Sequence, residues 1–187
     1  MHYPLYEVEQ FSSIKEMMEL AVEDAGSKIA YKFKDGDEIK EITFAQFVDE
    51  VGKLGAFLHE NTADKRHIAC IGKNSYNWIT AYMTALRGNG VFVPVDKDLP
   101  ETDIIHVINN SECSIVFCDG KYEEFFRSSI SEFPSVDSFI VFDRMEDDGK
   151  FLSFSKALEK GSELDPSAFW AEQSNPNELK LLVYTSG

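Results

Sequence analysis

The chain has 187 residues, of which 43% are apolar or aromatic, including fifteen Phe and seven Tyr. That content buries a core in one domain, or in one domain and part of another, and excludes a disordered chain. A formal net charge of −15 sets the surface against phosphate backbones and anionic lipid, which disfavours nucleic-acid and membrane-surface roles.

The first ten residues, MHYPLYEVEQ, lack the basic flank and apolar stretch of a signal peptide. Residues 12–26 read as a helix: Ser13 and Glu16 have capping-box spacing, and Ile14, Met17, Met18, Ala21, Val22 and Ala25 form one stripe. Ile29, Tyr31 and Phe33 then alternate, and Asp35-Gly36 signals a hairpin. Thr43 with Gln46 opens a second capping box, and the apolar residues from Phe44 to Leu58 predict a helix running to about His59. HIACIG (67–72) is a continuous apolar run, the pattern of a strand buried on both faces.

From there strands and helices alternate. Helices are predicted over 75–87, with Ser75 as cap, over 100–110, with Pro100 in the first turn, over 121–130, and over 153–161. Strands are predicted over 91–95, 114–118, 138–143 and 179–185. Such alternation requires crossover connections and predicts an α/β fold: a mostly parallel, doubly wound sheet with flanking helices, preceded by a β-hairpin. The chain divides into a helical segment (1–27), a hairpin (28–42) and an α/β core (43–187). Residues 143–177 are polar and read as a surface excursion, in which DRMEDDGK is a solvated loop and not a calcium site. No apolar run approaches the roughly 18 residues of a transmembrane span.

Open parallel sheets bind ligands beyond the carboxyl ends of their strands. The last predicted strand ends in YTSG, where backbone N–H groups and the hydroxyls of Thr185 and Ser186 could converge on a phosphate. By itself such a tripeptide is an ordinary turn. The remaining candidates have structural readings. Trp78 lies on an apolar stripe and reads as core, Pro94 as a strand end or bulge, and Asp96 as a turn residue. His2, His59, His67 and His106 are scattered without metal-ligand spacing. The three cysteines, Cys70, Cys113 and Cys118, lie in apolar runs and read as buried spectator thiols, which points to a reducing, cytoplasmic compartment.

Residues 73–119 nevertheless resemble the adenylate-forming superfamily, which contains acyl-CoA synthetases, luciferases and peptide-synthetase adenylation domains. The resemblance is carried by Asn74-Ser75 with Trp78 opening a helix that ends near Gly88 and Gly90, by VFVPVDKDLP, and by VINNSECSIVF. About ninety residues after the first of these, LLVYTSG is similar to the opening of that family's phosphate loop, YTSGTTGxPKG. The resemblance covers most of residues 28–187 and implies an incomplete, amino-terminal portion of the adenylate-forming fold. The rest of the loop, its lysine, the acidic metal ligands and a mobile lid domain are expected beyond Gly187.

The resemblance further implies ATP-dependent activation of a carboxylate, with Mg²⁺ as cofactor and coenzyme A as thiol acceptor. Thr185, Ser186 and Gly187 would contact the ATP phosphates. The NSYNW helix leans toward a fatty acid as substrate. An amino-acid adenylation domain and a non-catalytic α/β binding module remain alternatives. A half-built loop predicts no adenylation by this chain alone, and an edge strand with apolar surface predicts self-association, through residues 179–187.

Overall fold

The computed structural model describes residues 10–61, 67–88, 90–173, 175 and 177–185. Its first helix, α1 (Ile14–Ala25), is capped by Ser13, whose hydroxyl accepts from the Glu16 N–H at 3.1 Å. The Glu16 carboxylate does not close the box on Ser13. It accepts instead from the backbone N–H of Ser12 at 2.6 Å and from its hydroxyl at 2.7 Å, two donors in place of one. The hairpin strands β1 (Ile29–Asp35) and β2 (Glu38–Thr43) pair antiparallel with Asp35 opposite Glu38. The two-residue loop is therefore Gly36-Asp37, with Gly36 at φ +60°, where a side chain would be strained. Thr43 and Gln46 do form a reciprocal capping box, at 2.8 and 3.2 Å, and start α2 (Phe44–Asn61). The hairpin packs through Tyr31 and Ile42 on a cluster built from Met18, Phe47 and Val51.

The core follows as β3 (His67–Ile71), α3 (Tyr76–Arg87), β4 (Val91–Val95), α4 (Glu101–Asn110), β5 (Cys113–Cys118), α5 (Glu123–Ser128), β6 (Ser138–Val141), β7 (Phe151–Ser153), α6 (Phe154–Ser162) and α7 (Ser167–Ala171). Strands β3 to β7 form one five-stranded sheet in the order β4-β3-β5-β6-β7, with every neighbouring pair parallel. Residues alternate between its faces. Val116 and Cys118 join Ile104, Ile108, Phe126 and Phe139 on the side of α4 and α5. Ile115 and Phe117 join Leu54, Phe57, Ala81, Phe92 and Phe154 on the side of α2, α3 and α6. The sheet is thus wound on both faces, which is why its strands read as unbroken apolar runs. The three thiols are buried and free, as expected, and burial pushes the Cys113 thiol up to about 11.

Three expectations are corrected. Residues 143–177 are not a surface excursion: they contribute β7, with Phe151, and carry Phe154, Ala157 and Phe169 into the core. A three-residue strand running directly into a helix leaves no period to detect. The DRMEDDGK loop within this region lies at the surface yet is pinned, Lys160 pairing with Asp147 at 2.6 Å and Arg127 with Asp148 at 2.9 Å. Pro94 neither ends nor bulges β4, where it stands in regular register opposite Cys70. Its nitrogen faces away from β3, the one orientation in which a sheet tolerates proline. Pro100 precedes α4 at the N-cap position and is not in its first turn.

Candidate functional site

In the strand order β4-β3-β5-β6-β7 the connections reverse direction between β3 and β5, and the carboxyl ends of those strands form the usual ligand crevice. Here that crevice is filled by the protein's own carboxylates. Asp119, just after β5, accepts from the Lys73 N–H at 2.8 Å, and Asp143, beyond β6, accepts from the Gly120 N–H at 2.6 Å. A Cβ on Gly72 would lie 2.8 Å from the Asp119 carboxylate, and one on Gly120 would lie 2.5 Å from that of Asp143. Both glycines therefore exist to admit a carboxylate from the neighbouring loop. Two anions already hold the backbone donors at this point, so it is no cradle for phosphate. Neither Asp119 nor Asp143 was singled out from the sequence; the available signal was a glycine following or flanking each strand end.

Beside them, Asp96 closes the turn after β4, accepting from the Asp98 N–H at 3.0 Å, as a turn residue should. The Tyr122 hydroxyl donates to the Lys97 carbonyl at 2.9 Å and ties this turn to the loop after β5.

The terminal stretch lies along the outer edge of β4. The Phe92 N–H donates to the Lys180 carbonyl and the Leu182 N–H to the Phe92 carbonyl, both at 2.9 Å, giving a parallel bridge between Phe92 and Leu181. The expected strand over 179–185 is thus reduced to one bridge. The next donor on this edge would be residue 94, and proline has none. Alternation persists without further pairing: Leu182 and Tyr184 pack on the α4 side of the core, while Leu179, Leu181 and Val183 are 57%, 39% and 55% exposed. The Lys180 ammonium donates to the Gly88 carbonyl at the end of α3 at 2.7 Å, and burial holds it below the ordinary lysine value. Asn110, at the end of α4, donates to the Tyr184 hydroxyl at 2.8 Å. Thr185 is exposed; Ser186 and Gly187 lie outside the described residues.

The other candidates fall as follows. Trp78 is half-buried and packs against the core, stacking on Tyr82 at 5.5 Å and meeting Phe92 edge-on at 5.2 Å. His59 Nδ1 lies 2.9 Å from Glu172 Oε1, His67 bonds the Ser111 carbonyl, and His106 is exposed. His2 lies outside the described residues. Among the described residues no group of three or more His, Cys, Asp or Glu is placed to hold a metal ion.

A sheet wound on both faces is also found in solved adenylation domains. The adenylation–carrier didomain of carboxylic acid reductase from Segniliparus rugosus, solved in complex with AMP, shares it with a TM-score of 0.80 at 14% identity, covering 95% of this chain and 30% of that one. The model of the family described as AMP-binding enzyme matches residues 18–187, and the chain belongs to that family. Similar proteins include long-chain-fatty-acid–CoA ligase 5 of Rattus norvegicus, 26% identical over 95% of this chain and 28% of the relative, and tyrocidine synthase 2 of Brevibacillus parabrevis, 25% identical over 94% of this chain and 4% of the relative. The chain spans under a third of the length of either.

Proposed function

We propose that the chain is the amino-terminal part of an ATP-dependent carboxylate–CoA ligase. In this reading the parent joins a fatty acid to ATP, giving an acyl-adenylate and pyrophosphate, after which the coenzyme A thiol displaces AMP. The proposal includes the division into residues 1–27, 28–42 and 43–187, with a lid domain beyond Gly187. Thr185, Ser186 and Gly187 supply the first hydroxyl and backbone donors to the ATP phosphates. The reading is supported by the bridge between Phe92 and Leu181, which holds the chain at the sheet edge four residues before Thr185. Developing charge on pyrophosphate needs more than these donors: a cation and Mg²⁺ must come from elsewhere in the parent.

The observation that carries the reading is the family match reaching residue 187, through the YTSG that resembles the start of a phosphate loop. The fatty-acid assignment is supported by the rat ligase, alike over almost the whole chain. Amino-acid adenylation remains the second reading, supported by the tyrocidine synthase match. A thioester-forming assay on the parent, with fatty, aryl and amino acids in parallel, decides between them; turnover with amino acids alone overturns the first. For the chain by itself we expect no ATP–pyrophosphate exchange, and clear exchange would overturn the assignment of a half-built loop. The cytoplasm is the proposed compartment, supported by three buried free thiols. Self-association through 179–187 is supported by the exposed Leu179, Leu181 and Val183, and a stable monomer in light scattering would refute it.

A further inference from the structure

Two backbone bonds to Phe92 hold the terminal stretch on β4, and the second of them ends at Leu182. Residue 94, two places further along the edge, is proline and offers no N–H to a third. Val183, Tyr184 and Thr185 therefore run beyond the ladder, and backbone pairing does not aim Thr185. The side chain next to it does. Tyr184 is half-buried and packs against the core, and its hydroxyl accepts from Asn110 Nδ2 at 2.8 Å, across 74 residues of sequence.

Asn110 is the last residue of α4, and the residues on either side of it are tied down. Asn109 donates to the Glu132 carbonyl at 2.8 Å. The Ser111 hydroxyl donates back to the Val107 carbonyl at 2.6 Å, and the Ser111 carbonyl is bonded by His67 of β3. Glu112 then turns the chain into β5 at φ +51°, a left-handed conformation uncommon for any residue but glycine. The end of α4 is thus a fixed point from which the Asn110 amide reaches Tyr184. A tie built on a helix held in this way places its partner more precisely than one built on a loop.

We propose that Asn110 is a positioning residue for the phosphate contact of Thr185. By holding the Tyr184 hydroxyl it replaces the ladder bond that Pro94 cannot give, and it sets the direction in which the chain leaves the sheet edge. The inference rests on the reading of Thr185–Gly187 as the first phosphate donors and deepens it with a residue from a distant helix.

Two measurements test it. In this chain, the backbone heteronuclear NOE at Val183, Tyr184 and Thr185 should fall in Asn110→Ala and in Tyr184→Phe, with no further fall in the double variant. Asn110→Asp, whose carboxylate accepts from the Tyr184 hydroxyl, should restore it. Neither single variant should change the urea unfolding constant by more than about threefold, because the bond is exposed. An unchanged NOE, additive losses or a larger loss of stability overturns the proposal. In the parent enzyme, Asn110→Ala should lower kcat/KM for ATP about threefold to tenfold, the worth of one hydrogen bond, and leave KM for the carboxylate unchanged. Unchanged ATP kinetics, or an equal loss for both substrates, overturns the proposal and leaves the proposed function intact. A parent that turns over ATP with no carboxylate overturns that function instead, and the NOE in this chain still decides whether Asn110 holds the segment.

Discussion

Gly161→Ala separates helix propensity from packing, because the two predict opposite signs. Gly161 is buried in α6 where that helix crosses α2. A Cβ there would lie 2.0 Å from the Lys53 carbonyl oxygen, 2.7 Å from its carbon and 3.3 Å from its Cα. All three are backbone atoms, so no side-chain rotation relieves the overlap, and the helices must part by about 1 Å to restore a normal contact. A gap of that size forfeits a quarter to a half of the dispersion well for the atoms it separates. The contacts at risk include those of Leu54, Phe57, Phe154 and Ala157, which share one cluster. Overpacking of this kind costs ~3 kcal/mol or more when backbone must move. Alanine for glycine one residue from the end of α6 returns at most about 1 kcal/mol. The net expectation is a loss of ~2 kcal/mol or more, roughly a thirtyfold rise in the unfolding constant, read from the urea midpoint by circular dichroism at unchanged slope. A variant as stable as the parent, or more so, would show that α2 and α6 do not approach as described.

Pro94→Val supplies the donor that the β4 edge lacks, so slow amide exchange should appear at position 94 and strengthen at Leu182; exchange as fast as in a loop would refute the edge assignment. The Cys113 thiol, raised to about 11 chiefly by burial, should resist alkylation at pH 8 in the folded chain and react within the rate of unfolding; rapid labelling under native conditions would contradict the burial. Glu16 is held below its ordinary 4.5 by the Ser12 backbone bond first and the Ser12 hydroxyl second. A depressed folded value means that its contribution is present above about pH 4.5 and is lost as pH falls through the lower folded value. Ser12→Ala should move the Glu16 carboxyl titration, followed by NMR, upward but only part of the way, because the backbone donor remains; an unmoved titration refutes the hydroxyl's role.

Much of this fold was legible because its signals are local. A capping box spans four residues, as at Thr43 and Gln46, and an amphipathic stripe or an unbroken apolar run declares itself within a dozen. The α/β alternation, the doubly wound sheet and the buried thiols all follow from such windows. YTSG was legible in the same way, as a small-residue turn after an apolar run, and its likeness to a phosphate loop depended on order and spacing along the chain. What remained hidden depends on partners distant in sequence. Nothing in VFVPV says which way the Pro94 nitrogen faces; only the position of β4 at the sheet edge makes it tolerable there, and that same proline limits the terminal pairing to Leu181. Nothing in ALRG marks Arg87 for burial, since a basic residue closing a helix is ordinarily solvated; the strap that returns through Trp170 and Glu172 buries it. Gly72 and Gly120 read as turns until Asp119 and Asp143 are seen to need the space. The sequence alone settled helices α1 to α6, the hairpin and strands β3 to β6, because those choices are governed by neighbours within a few residues, whereas β7, α7 and the single bridge at Leu181 depended on what the fold packs against them. Tertiary structure alone decided which crevice is closed, which edge is open and which charge is buried, because each is set by groups the chain brings together only after it folds.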